Sequence, residues 1–158
     1  MDWLLTAFAD ERLRKYPVKL IVAGEFYEPE APDRELIRRY ALDDDVLLHT
    51  HFIPDSEVAR YFNVADIVAQ PYRSATQSGV TQIAYHFEKP MLVTDVGGLA
   101  EIVPHGKVGY VVAPDKESVA DALVDFLEHN RSESFKANIQ IEKKKFEWSE
   151  MSDALLKV

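Results

Sequence analysis

Cysteine is absent from the 158 residues. Disulfides, thiolate metal sites and cysteine nucleophiles are therefore excluded, and a reducing compartment is allowed. Basic charge is scarce as well: 18 Lys and Arg stand against 27 Asp and Glu, a formal net charge of -9. That is the wrong sign for a partner of duplex nucleic acid, whose phosphates must be met by Lys and Arg. It leaves room for one local phosphate. No apolar run approaches the roughly 18 residues that would span a bilayer. The opening Met1-Asp2-Trp3-Leu4-Leu5 reads as a charged amphipathic helix instead of a secretory leader, so the expected location is cytoplasmic. Repeats and low-complexity tracts are missing, and Lys143-Lys144-Lys145 reads as a solvated helix face. His49, His51, His86, His105 and His129 follow no metal-ligand spacing, so no metal is expected. A P-loop, a G-x-G-x-x-G fingerprint and a G-x-S-x-G elbow are all absent. Their absence argues against a nucleotide triphosphatase, a dehydrogenase and a serine hydrolase, and no catalytic residue is assigned.

What is present is an apolar content of 47%, enough to give one domain a substantial core. Continuous apolar runs at 20–23, 46–48, 67–69, 91–93 and 110–113 read as strands buried on both faces of a parallel sheet. Helical periods separate them: Leu36, Ile37 and Tyr40; Val58, Tyr61, Phe62 and Ala65 after Pro54-Asp55; Val80, Ile83, Ala84 and Phe87; Leu99, Ile102 and Val103, stopped by Pro104; and Val119, Leu123, Phe126 and Leu127 behind a capping Asp115. Strict alternation with short connections predicts right-handed crossovers and a doubly wound, Rossmann-like α/β domain of about five or six strands. Residues 1–130 are expected to form that domain. Residues 131–158 read as a helical tail, with Phe135, Ile139 and Phe146 spaced for one helix and Ser149 opening another. The tail is expected to pack on the domain or on a partner. Trp3, Leu4, Leu5 and Phe8 form a helix with no strand before it, although a doubly wound domain normally opens with a strand. A preceding strand, and a preceding domain, are therefore expected outside these residues.

Ligands in open α/β sheets sit beyond the carboxyl ends of the strands. Four loops should meet there: Gly24-Glu25-Phe26, Thr50 to Pro54, Arg73 to Gly79, and Asp95 to Gly98. The Thr76-Gln77-Ser78-Gly79 loop is small and polar and leads into a helix, whose first N–H groups and dipole favour an anion. An ordinary N-cap by Thr76 or Ser78 is the competing reading. Gly24 and the Asp95-Val96-Gly97-Gly98 turn read either as ligand contacts or as plain turns, and Arg73 either as a phosphate partner or as half of a surface ion pair. His49 and His51 alternate along a strand end, so at most one should face the cleft.

The combination resembles the donor-binding half of the group 1 retaining glycosyltransferases, enzymes of the GT-B fold with two Rossmann-like domains. The resemblance rests on Leu20-Ile21-Val22-Ala23-Gly24, on Val46 to Pro54 and on Ala65-Asp66-Ile67 through Pro71. It rests most closely on Lys89-Pro90-Met91-Leu92-Val93-Thr94-Asp95-Val96-Gly97-Gly98-Leu99-Ala100-Glu101-Ile102-Val103 with Gly106 and Gly109-Tyr110-Val111-Val112. It spans nearly the whole chain and implies the C-terminal domain of such an enzyme. The implied ligand is a nucleoside-diphosphate sugar as donor substrate, with no separate cofactor. The diphosphate would lie on Thr76, Gln77, Ser78, Gly79 and Val80. Base, ribose and sugar would lie near Gly24, Glu25, His51, Phe52, Ile53, Arg73, Gln82, Asp95, Gly97 and Gly98.

The implied partner is an acceptor-binding domain ahead of residue 1, and any contact with a membrane surface would come through that domain. Two departures stand out. Ala75 and Ile83 occupy places where the family usually carries glutamates, leaving Thr76, Gln77 or Gln82 to act by neutral hydrogen bonds, and Glu88 stands where Gly is customary. A non-catalytic nucleotide-binding or interaction module is the rival reading. An epimerase-like domain drawing on Glu25, His51 or Asp95 is another.

Overall fold

The five apolar runs become five short parallel strands, each within a residue or two of its expected span: β1 Leu20–Ala23, β2 Val46–His49, β3 Val68–Gln70, β4 Met91–Thr94 and β5 Gly109–Val112. The computed structural model describes residues 1–26, 29–75 and 78–146, and the helix expected from Ser149 lies outside the described residues. Between the strands run α1 Asp2–Phe8, α2 Ala31–Arg39, α3 Asp55–Val64, α4 Gly79–His86, α5 Leu99–Ile102, α6 Lys116–Glu128 and α7 Ser132–Glu142. A 3-10 turn at Lys143–Phe146 follows α7, so the single helix expected through Phe146 ends its α-helical part at Glu142. None of the described helices is long and apolar enough to cross a membrane.

The strands form two parallel ladders. β1 pairs with β2, Leu20 opposite Val46, and β4 lies between β3 and β5, with Met91 opposite both Val68 and Gly109. β4 is buried along its whole length, as a central strand covered on both faces must be. Gly109 permits that closeness, because a Cβ there would collide with the Met91 backbone carbonyl. β1 departs from the expectation of burial on both faces: Leu20 is buried while Ile21 remains 39% exposed, and Leu47 beside it on β2 is 43% exposed.

Helices cover opposite faces. Leu4, Leu5 and Ala7 of α1, Ile37 of α2 and Val119, Leu123 and Phe126 of α6 share one apolar cluster with Leu20, Val46, Leu92 and Tyr110. Ala84 and Tyr85 of α4, Leu99 of α5 and Ile139 of α7 form a second with Met91 and Val93, and Phe62 of α3 packs on it. The period of 3.6 decides which residues these are. Asp115 caps α6 through its carboxylate, accepting from the Ser118 N–H at 2.7 Å. The change of face between α2 and α3 places the topological switch between β1 and β3, and the loops at the carboxyl ends of these strands frame the site.

Candidate functional site

α4 begins at Gly79 because Ser78 holds extended backbone angles, φ -130° and ψ 121°, and so ends the loop. Ser78 is the N-cap by position, yet its side chain makes no cap hydrogen bond. Its hydroxyl turns inward and donates to Gln70 Oε1 at 2.8 Å, with the Tyr72 hydroxyl 3.4 Å away. The capping alternative for Ser78 is therefore not what the structure shows: the hydroxyl is engaged with the end of β3. The Ser78 carbonyl still accepts from Thr81 N–H at 3.2 Å. Among the described residues no side chain reaches the N–H groups of Gly79 and Val80, and the dipole of α4 concentrates positive potential there. Among the described residues a Cβ built on Gly79 meets nothing within 4 Å. Thr76 and Gln77, expected as phosphate contacts, lie outside the described residues.

Gln70 was not anticipated. It ends β3, is 2% exposed, and its Oε1 also lies 3.4 Å from the Thr81 hydroxyl, while its Nε2 is buried with no hydrogen-bond partner among the described residues. A buried amide with an unpaired donor costs about 1–3 kcal/mol. The signal in the sequence was a polar residue closing a strand run that was otherwise apolar. Its role is to hold the start of α4 against β3. Thr94 at the end of β4 adds a second tie, its hydroxyl donating to the Tyr72 carbonyl at 2.6 Å.

The other expected residues are placed as follows. Gly24 directly follows β1 with φ +132°, a conformation that L side chains rarely adopt, and its N–H donates to the His49 carbonyl at 3.0 Å. Glu25 beside it is exposed. Residues two apart share a face of a strand, so His49 and His51 do not separate as expected: their rings stack 6.2 Å apart at 27°. His49 Nδ1 is 2.9 Å from the Tyr61 hydroxyl of α3, which fixes that ring. Phe52 is 65% exposed, and Ile53 half-buried beside it. Glu30 steadies this loop from the start of α2, its carboxyl held below the usual range first by Arg34 and then by the Thr50 hydroxyl.

Arg73 pairs with Asp2 at 2.7 Å and lies 5.3 Å over the Trp3 ring, tying the β3 loop to α1. Gln82 is exposed on α4. Asp95 is exposed, its N–H donating to the Val112 carbonyl at 2.8 Å, and Gly97 turns with φ +57° into Gly98, the N-cap position of α5. The described residues contain no group of His, Asp or Glu arranged to hold a metal. Among the described residues, the arrangement offers a helix N-terminus open to an anion and no base paired with a nucleophile.

Comparison with known proteins bears on the family and the fold. The family model of the group 1 glycosyl transferases matches residues 1–129. A D-inositol 3-phosphate glycosyltransferase of Jonesia denitrificans is 26% identical over 150 residues, covering 92% of this chain and 35% of its own length. One from Pseudarthrobacter chlorophenolicus is 29% identical over 144 residues, covering 77% of this chain and 34% of its own. The chain thus spans about a third of the relatives it matches. Among solved structures, Anabaena HepE in complex with UDP superimposes with a TM-score of 0.81 at 20% identity, covering 100% of this chain and 45% of that one. The C-terminal domain of LpcC, a group 1 family protein from Francisella tularensis, gives 0.78 at 19% identity, with coverage of 90% and 76%.

Proposed function

Since the chain belongs to the group 1 glycosyl transferases, we propose that it is the donor-binding half of a retaining enzyme, holding a nucleoside-diphosphate sugar at the start of α4. The observation that carries this reading is the N-terminus of α4, which no side chain among the described residues caps, with Ser78 turned inward and Gly79 exposed. The diphosphate would accept hydrogen bonds from the Gly79 and Val80 N–H groups, with Thr76 and Gln77 as further contacts. The exposed Phe52 ring, with His51 and Ile53, suits the base, and the backbone at Gly24 with Glu25 suits the ribose. Gln82, Asp95, Gly97 and Gly98 would border the sugar, and Arg73 would border the diphosphate on exchanging Asp2 for phosphate oxygens. The complexes of HepE with UDP and with UDP-glucose support a donor of this class.

In the transfer, an acceptor hydroxyl attacks the anomeric carbon as the bond to the diphosphate oxygen breaks. The hydroxyl proton passes to the departing phosphate. Charge grows on the diphosphate, where fixed N–H dipoles stabilise it most. The acceptor would come from a separate domain, residues 1–130 would form the donor unit, and residues 131–158 would be its helical tail. No further cofactor is needed.

Titrating UDP while following backbone amide NMR shifts tests the reading. The largest changes are expected at Ser78, Gly79 and Val80 and around His51 to Ile53. Silence at residues 78–80, with shifts elsewhere, overturns it. Gly79→Ala should then leave folding intact, since nothing crowds the added carbon and Ala is favoured over Gly in a helix by up to about 1 kcal/mol. Gly79→Val should lower UDP affinity at least tenfold, a loss of about 1.4 kcal/mol.

A further inference from the structure

Ser78 stands at the head of α4 with the backbone of a capping residue but not the side-chain bond of one. Its angles, φ -130° and ψ 121°, lie in the extended region, as do those of Asp115 at the head of α6, φ -144° and ψ 161°. Asp115 caps its helix through its carboxylate, and serine is among the residues best suited to the same task. What sets the two apart is the side-chain rotamer, a choice among staggered positions. The Ser78 hydroxyl is drawn inward by Gln70 Oε1, 2.8 Å away. The Tyr72 hydroxyl at 3.4 Å is too far to hold it alone. Gln70 itself has little freedom, since its backbone pairs with Val93 in the ladder of β3 and β4 and its carbonyl accepts from the Tyr72 N–H at 2.9 Å.

An amide is a poor filler for this place. Gln70 is 2% exposed and its Nε2 finds no partner among the described residues, a defect that an apolar side chain of the same length would not leave. What such a side chain would not supply is an acceptor for Ser78. A buried hydroxyl deprived of its partner turns to another, and an N-cap side chain serves the N–H groups of the second and third helical residues, here Val80 and Thr81. A cap at that point would occupy first-turn N–H groups and set an oxygen lone pair where an anion has to approach.

We infer that Gln70 is a positioning residue for the donor: by holding the Ser78 hydroxyl against β3 it keeps α4 from capping itself and leaves the first-turn N–H groups to the diphosphate. The inference rests on the reading of α4 as the diphosphate site. Helix and ligand compete for the same donors, and Gln70 tips that competition toward the ligand.

The test is Gln70→Leu, with Gln70→Met, which matches glutamine in length and lacks the amide, as the second variant should leucine disturb folding. Titration with UDP should show affinity lowered by about fivefold or more, the equilibrium effect of an ordinary cap. The urea midpoint should be unchanged or raised, because the unpaired donor is gone and the helix has gained a cap. In the unliganded protein, amide exchange at Val80 or Thr81 should slow. In a Ser78→Ala background, Gln70→Leu should no longer change UDP affinity, since no hydroxyl remains to be released. A glutamine that merely packs would lower midpoint and affinity together, in either background. Equal UDP affinity in the wild type and in Gln70→Leu overturns the inference, and so does a loss of affinity that persists in full in the Ser78→Ala background. Silence at residues 78–80 when the wild type is titrated overturns instead the reading of the site, and this inference with it.

Discussion

Glu88 sits in the left-handed region at φ +54°, immediately after α4. For an L residue this costs roughly 1–2 kcal/mol, which gives a physical reason for the glycine customary in the family. Here the carboxylate has taken partners: Lys143 and Gln140 both donate to it, and Lys143 first of all holds its pKa below the usual range. An ion pair of this kind at the surface contributes about 0–1 kcal/mol. Glu88→Gly should therefore leave the urea midpoint unchanged or slightly raised, whereas Glu88→Ala, which keeps the strain and loses the pair, should lower it. A second residue-scale prediction concerns Asp125. It accepts from the Tyr110 hydroxyl at 2.6 Å and from Arg131 at 3.2 Å, and these bonds, Tyr110 foremost, hold its carboxyl below the usual range. Burial pushes the Tyr110 hydroxyl up, and Asp125 adds to the shift. The depressed carboxyl contributes stability above its unfolded value of about 3.9, lost as pH falls through the lower folded value. The raised phenol contributes below about pH 10 and that contribution is lost as pH rises. Stability measured by urea across pH should lose part of its acid limb in Asp125→Asn and part of its alkaline limb in Tyr110→Phe.

At the scale of elements, β5 depends on a single missing side chain. Gly109→Ala would press a carbon into the Met91 carbonyl, and backbone cannot yield as a flexible side chain would. The expected cost is about 3 kcal/mol, read as a lower urea midpoint with an unchanged slope. Such elements were largely legible. The runs at 91–93 and 110–113 predicted β4 and β5 because a doubly covered strand has no polar face to confuse with a helix, and Asp115 announced α6 because its cap bond is local. Long-range outcomes were not legible. Nothing in Ile21 or Leu47 as residues tells a buried strand position from an exposed one. Gln70 gave its polarity but not its partner, since Ser78 reaches it only once β3 and α4 are assembled. His49 and His51 lie on one side because the side-chain period of a strand is two, so their expected separation did not follow from strand geometry.

For the whole molecule, one donor-binding domain is expected to bind without transferring. Holding an acceptor within reach of the sugar carbon can account for about 7–11 kcal/mol of barrier lowering, and the proposed site supplies no wall for an acceptor. Incubated with nucleotide sugars and glycan or lipid acceptors, the 158-residue chain should show at most slow donor hydrolysis, while a polypeptide extended to the length of the relatives turns over. Acceptor-dependent turnover by the short chain at the same rate would refute this. The inward turn of the Ser78 hydroxyl has a thermodynamic corollary. The first N–H groups of a helix need a partner from outside it, so a donor bound as proposed would become part of the secondary structure it binds. Ligand at a hundred times its dissociation constant stabilises by about 2.7 kcal/mol, and where the ligand's phosphate is the cap, that energy is concentrated in the first turn of α4. The cell's supply of donor would then set how often this helix opens, making the order of one eight-residue element a gauge of substrate.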